Sequence, residues 1–148
     1  MSDKKPLFEI VGGYDMLRKV HKIFYDKIYK DPWIGQFFEG IDQTTIENQQ
    51  TDFMAQSMGG PEKYSGALPL PAHTHIYITP ELFDYRHELL RQSLVEAGLK
   101  PETAESWLKI DAAFKRGLVK KSLSDCKPRY TTDEILDFPD PRKLRKAS

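Results

Sequence analysis

The apolar positions between Gly13 and Lys30 recur with the period of a helix. Leu17, Val20, His21, Phe24 and Ile28 fall at i, i+3, i+4, i+7 and i+11 and so share one face. Gly12-Gly13 reverses the chain ahead of this segment, and Pro32 ends it by keeping Asp31 out of the α region. "IGQFFEGID" then reads as a short loop-like stretch with two adjacent phenylalanines. A second helix is predicted from about Thr44 to Met58, capped by Asp42 or Thr44 and closed by Gly59-Gly60. "PEKYSGALPLPAH" is rich in Gly and Pro and reads as loop. Thr79-Pro80 is an N-cap followed by proline at the first helical position. The third helix carries Phe83, His87, Leu90, Leu94 and Ala97 on one face and stops at Gly98. A fourth starts within "LKPETAESW", with Trp107, Ile110, Phe114 and Leu118 as its stripe, and runs to about Leu123. No segment alternates as a strand and no stretch repeats. The pattern predicts an all-α domain over residues 1–123 and an extension over 124–148. That extension holds Pro128, Pro139 and Pro141 and ends on "RKLRKAS", which predicts a chain extended along the surface or disordered. Within it, "TTDEILDF" is expected to form one or two capped turns.

Composition narrows the class. The chain has 148 residues, enough for one domain with a real core. Lys+Arg and Asp+Glu both total 22, so the charge balance gives no sign of a nucleic-acid or membrane surface. The single cysteine, Cys126, rules out an internal disulfide and fits a reducing compartment. No apolar run reaches the ~18 residues of a membrane span, and "MSDKKPLFEI" lacks the core of a signal peptide. A cytoplasmic location is the expectation.

Polar residues interrupt the apolar faces. The second helix has an inward face set by Ile46, Phe53 and Ser57 that also includes Gln49 and Gln50. A buried amide without partners costs roughly 1–3 kcal/mol, so one glutamine reaches water or both line a pocket. Tyr25 sits beside Phe24 at the edge of the first helix's face. Tyr25 and Gln50 facing one another would put two neutral donors in an apolar box, which suits a small polarised diatomic ligand. Two of the four histidines, His73 and His75, lie in the proline-braced "PLPAHTHIYITP". An H-x-H pair alone lacks the three or four ligands of a zinc site. His21 and His87 read as core histidines, and "KRGLVKK" at Lys115–Lys121 as a solvated helix end.

Four blocks in order, "LFEIVGG", "IFYDKIYKDPWIGQFFEGID", "QTDFMAQSMGGPEKYSGA" and "AHTHIYITPELFD", resemble the group I truncated haemoglobins, from Leu7 to Leu123. The resemblance implies a two-over-two helical sandwich around haem b. It implies His73 as the proximal iron ligand, directly after Ala72 and five residues before Ile78. Phe38 would pack on the haem face, and Tyr25 and Gln50 would take the distal positions that hydrogen-bond dioxygen in some relatives. Gln49 stands where other relatives place an iron-binding histidine, and Ile46 at the distal-histidine position. Phe53, Met54, Tyr64, Ile78 and Phe83 would complete the cavity. The chain departs from the family at Met54, where some relatives carry a phenylalanine. It also departs at Ile76 and Tyr77, which replace glycine, and at Pro69 and Pro71 before the ligand.

The implied function is binding of O2, NO or CO at a five-coordinate haem, with nitric oxide dioxygenase activity driven by an unidentified reductase. The rivals are a haem-based gas sensor signalling through residues 124–148 and a helical interaction domain that has lost haem. A monomer or weak homodimer is expected. His75 is expected to point to solvent, with a haem-propionate contact or a swap onto the iron as the other two roles.

Overall fold

A computed structural model describes residues 5–61, 73, 75–128 and 134–142. Helix α1 (Leu7–Val11) leads into α2 (Gly13–Lys30). The hinge between them is Gly12, whose φ of 113° is left-handed and open to glycine at little cost. A 3-10 turn (Ile34–Phe38) precedes α3 (Gln43–Ser57). Further along the described chain come α4 (Pro80–Glu96), α5 (Pro101–Ala113) and the single turn α6 (Lys115–Leu118); the stretch "PEKYSGALPLPAH", expected from the sequence to be loop, lies almost wholly outside the described residues. α2 packs on both α3 and α4, and α4 packs on α5, so two helix pairs are joined through α2.

The start signals work as the side chains require. Asp42 accepts from the Thr45 amide at 2.9 Å and Thr79 from the Leu82 amide at 3.0 Å, each satisfying a first-turn donor. At the end of α3 the Gly60 amide reaches the Ala55 carbonyl at 2.8 Å. A Cβ there would fall 2.6 Å from the Phe8 ring, so only glycine lets α1 lie this close.

Two boundaries differ from the sequence expectation. The fourth helix breaks at Phe114 and stops at Leu118 rather than near Leu123. The Lys115–Lys121 cluster is not simply a solvated end. Lys120 donates its backbone N–H to the Ile78 carbonyl at 2.8 Å and its Nζ to the carbonyls of His73 and Ile76 at 2.8 and 2.6 Å. Burial lowers its pKa. The ammonium ties two carbonyls and the backbone N–H of the same residue ties a third.

The extension packs back on the helices where it is described. Leu136 forms a parallel bridge with Ile76: its N–H donates to the His75 carbonyl at 2.8 Å, and its carbonyl accepts from Tyr77 at 2.8 Å. Glu134–Phe138 is therefore extended, not the capped turn expected of "TTDEILDF"; residues 131–133 of that stretch lie outside the described residues. Phe138 meets Phe37 edge-on at 5.0 Å, and its carbonyl accepts from Trp33 Nε1 at 2.6 Å. Arg142 stacks over the Tyr85 ring at 4.5 Å. Apolar side chains at alternate positions, Leu136 and Phe138, fasten the extension despite its prolines. No helix among the described residues is long and apolar enough to cross a membrane.

The core of α2 is Leu17, Val20, His21, Phe24, Tyr25 and Ile28. His21 lies fully inside it, its Nδ1 2.9 Å from Thr51 Oγ1 and its ring edge-on to Trp107 at 5.6 Å. Burial, with the nearby Arg86 charge, depresses its pKa from 6.5 to about 3. Folding therefore favours neutral His21, and the unfolded chain binds more protons between those two values. His21 costs no stability above the unfolded pKa, and stability falls as pH drops from 6.5 toward about 3. The slope contributed approaches ~1.4 kcal/mol per pH unit. We expect His21→Gln to flatten the acid limb of urea-unfolding free energy against pH by that amount; a parent-like slope would show that His21 is not the group responsible.

Candidate functional site

Burial on α3 does not follow the face expected from the sequence. Thr51, Met54, Ala55 and Met58 are the buried residues, whereas Ser57 is exposed and donates to the Phe53 carbonyl. Ile46 and Phe53 are only half-buried. The reason is a cavity of about 450 Å³ between α3 and the second helix pair. Ile46, Phe53 and the buried Met54 wall this space, while Thr51 and Ala55 pack on protein.

Tyr25, Phe38, Ile46, Gln49, Gln50, Phe53, Met54, His73, Ile78 and Phe83 all line this one cavity. Of the residues singled out from the sequence, Tyr64 lies outside the described residues. Tyr25 enters from α2 with its ring edge-on to Phe24 and Phe38, at 5.0 and 6.0 Å. Its hydroxyl bonds to no other described residue, and neither does the Gln50 amide. Burial raises the Tyr25 pKa, with the Arg86 charge pulling the other way, so the phenol stays a protonated donor. Gln49 is exposed where it borders the cavity, and Gln50 is half-buried.

His73 stands on the loop wall. Its carbonyl is held by both Lys120 Nζ and the Ile76 amide, which fixes the backbone behind the imidazole. His75 does not point to solvent, as the sequence led us to expect: it is buried to 7% exposure and lines the same cavity. The bridge to Leu136 pulls the His75–Ile76 backbone inward, which no local pattern encodes. Among the described residues, no group of three or more His, Cys, Asp or Glu is arranged to hold a metal ion.

Sequence reading passed over a charged part of the wall. Arg86 of α4 and Asp111 of α5 both line the cavity. Arg86 Nη1 spans the Asp111 carboxylate at 2.8 and 2.9 Å, and His87 Nδ1 meets the same group at 2.7 Å. Burial raises the Asp111 pKa, but Arg86 and His87 outweigh it and the carboxyl is held below its usual range. His87 is thus a satisfied histidine, half-buried rather than fully packed. A signal existed. Arg86 follows Phe83 by three positions and Asp111 follows Trp107 by four, so each interrupts an apolar stripe, and buried charges occur in pairs.

An apolar cavity with imidazoles on one wall and neutral donors on the lining can hold a flat apolar ligand carrying a metal. Comparison with known proteins points the same way. Residues 6–118 match the bacterial-like globin family. A group 1 truncated haemoglobin of Tetrahymena pyriformis is 30% identical over 99 residues, 67% of this chain and 82% of that one. One from Mycolicibacterium paratuberculosis is 29% identical over 102 residues, 69% of this chain and 75% of its own length. The crystal structure of the Tetrahymena pyriformis truncated haemoglobin in its Fe(III) form superposes with a TM-score of 0.73 at 26% identity, covering 79% of this chain and 100% of that one. The haemoglobin of Chloroflexus aurantiacus, 24% identical, shares the fold with a TM-score of 0.72.

Proposed function

The chain belongs to the bacterial-like globin family, in its group 1 truncated branch, and from that membership we propose that His73 ligates a haem b in the cavity where O2, NO or CO binds. Membership itself implies haem as cofactor and small gaseous molecules as ligands. The residues present fit that group. The cavity is walled largely by Phe38, Ile46, Phe53, Met54, Ile78 and Phe83, which suit an apolar macrocycle, and an imidazole is a standard axial ligand of haem iron. One observation carries the proposal: His73, Tyr25 and Gln50 line a single apolar cavity although they come from a loop and two helices.

Bound haem supplies a metal that takes up diatomic gases and shifts electron density onto them. The side chains do the rest. Tyr25 donates its hydroxyl proton and Gln50 an amide proton toward the ligand, and both bonds are stronger in the low dielectric of an apolar cavity. Phe53 and Met54 exclude water. Gln49 has no imidazole to offer in the position where some relatives carry one, so this wall would contribute no histidine to a bound metal. The chemistry that haem would supply beside these donors is dioxygenation of NO, in which O2, NO and one electron give nitrate. The activity is then that of a nitric oxide dioxygenase supplied by an unidentified reductase, in a cytoplasmic monomer or weak homodimer.

A second reading, a gas sensor, is favoured by the extension: Leu136 bonds to the backbone of His75 and Tyr77, within four residues of His73. One experiment separates the readings. Absorption spectra of the ferric, ferrous and CO states, followed by NO consumption with a reductant, are compared for the full chain and a chain ending at Pro128. We expect a Soret band, a five-coordinate ferrous spectrum and many turnovers in both. Stoichiometric NO uptake, with a spectrum altered by the truncation, would replace the enzyme by the sensor. No Soret band after haem addition would sink both and leave a helical interaction domain.

A further inference from the structure

The Arg86–Asp111 pair is a charged element in a cavity otherwise suited to a neutral apolar guest. Charges are rare on such walls because taking them out of water is costly, so an ion pair that borders a cavity calls for an account. The two partners are not equivalent. Asp111 is nearly sealed, with a side-chain exposure of 4%, and its oxygens are occupied by Arg86 Nη1 and His87 Nδ1. Arg86 keeps 31% of its side chain exposed. Only Nη1 is engaged, and Nε and Nη2 meet no acceptor among the described residues. Its guanidinium carbon lies 5.4 Å from the centre of the Phe24 ring and 5.7 Å from that of Phe83, within cation–π reach of both. Phe83 lines the cavity with it, as does Tyr25, the neighbour of Phe24.

A saturated carboxylate and an unsaturated guanidinium leave the cavity with surplus donors and a net positive edge. Guanidinium is a planar, permanently charged donor that matches small oxyanions and linear anions. We propose that Arg86 is a specificity-determining residue that makes the haem-loaded cavity favour small inorganic anions, such as azide, cyanide and nitrite, over neutral ligands of similar size. Asp111 is the positioning residue: it holds one edge of the guanidinium and leaves the other edge for the ligand. The inference rests on the haem reading above. It adds a fixed positive charge beside the neutral donors Tyr25 and Gln50, and with it a preference for ligands that carry a full negative charge.

The test is the ratio of equilibrium affinities, azide to the ferric and CO to the ferrous holoprotein, each read from the absorption spectrum. Removing Arg86 alone would strand a buried carboxylate, so the informative variants are the double Arg86→Gln/Asp111→Asn and the single Asp111→Asn. The ratio is expected to fall about tenfold in the double variant, the scale of a lost charge-assisted hydrogen bond. It is expected to rise in the single variant, where the guanidinium loses its counter-charge. Opposite movements support the proposal, because a general loosening of the cavity would move both ratios the same way. If only the double variant holds haem, a fall in its ratio against the parent supports the proposal and an unchanged ratio overturns it. An unchanged ratio in both variants, or the same change in both, overturns it while the haem reading stands. A parent protein that takes up no haem overturns the haem reading and this one with it.

Discussion

The purified His73→Ala variant is expected to lose the normal ferrous spectrum of the parent. His73 lines the cavity and has its backbone carbonyl pinned by a side chain from beyond the helices, the Lys120 ammonium. Fixing the carbonyl removes backbone freedom that a ligating imidazole would otherwise lose on binding. Haem binding stabilises the fold by mass action, about 2.7 kcal/mol at a hundredfold excess over the dissociation constant. The rise in melting temperature on adding haem should therefore be smaller for the variant than for the parent. His75 makes the experiment sharper, because it lines the same cavity two residues away. A parent-like spectrum in His73→Ala that disappears in His73→Ala/His75→Ala would transfer the ligand role to His75. A parent-like spectrum in both would remove histidine ligation from the account altogether.

The second large effect is expected on O2 release. Tyr25→Phe keeps the ring that packs edge-on against Phe24 and Phe38 and deletes only the hydroxyl. Because that hydroxyl bonds to no other described residue, its removal leaves no protein partner stranded. The loss falls on the ligand. A hydrogen bond to a group carrying charge contributes about 1.5–3 kcal/mol, so the O2 dissociation rate measured by stopped flow should rise between about tenfold and a hundredfold. CO carries less charge when bound, and its dissociation should change far less. An unchanged O2 off-rate would mean that Tyr25 only packs, and the donor role would pass to Gln50 alone.

The sequence carried the helices because their causes are local. The apolar period of α2, the Asp42 and Thr79 caps, Pro80 and Pro101 at first positions and Gly98 after α4 each act within a few residues of themselves. The cavity residues were partly legible for the same reason. Gln49 and Gln50 on an apolar helix, and Tyr25 beside Phe24, are oddities visible in a linear string. Arg86 and Asp111 were oddities of the same kind, but each reads as a single surface charge until α4 and α5 are laid together and the 25 positions between them close to an ion pair.

What sequence alone determined was the class of the protein: an all-α chain whose helices, breaks and out-of-place polar residues follow from short-range sterics and amphipathic periodicity. Tertiary structure alone decided which face of α3 is core and which is wall. It drew His75 in from solvent, and it turned a proline-rich tail and Lys120 into the ties that hold the His73 loop. Those outcomes depend on contacts between residues dozens of positions apart, such as Ile76 with Leu136 and Trp33 with Phe138. Burial, cavity formation and charge pairing are properties of such contacts, and no window of neighbouring residues contains them.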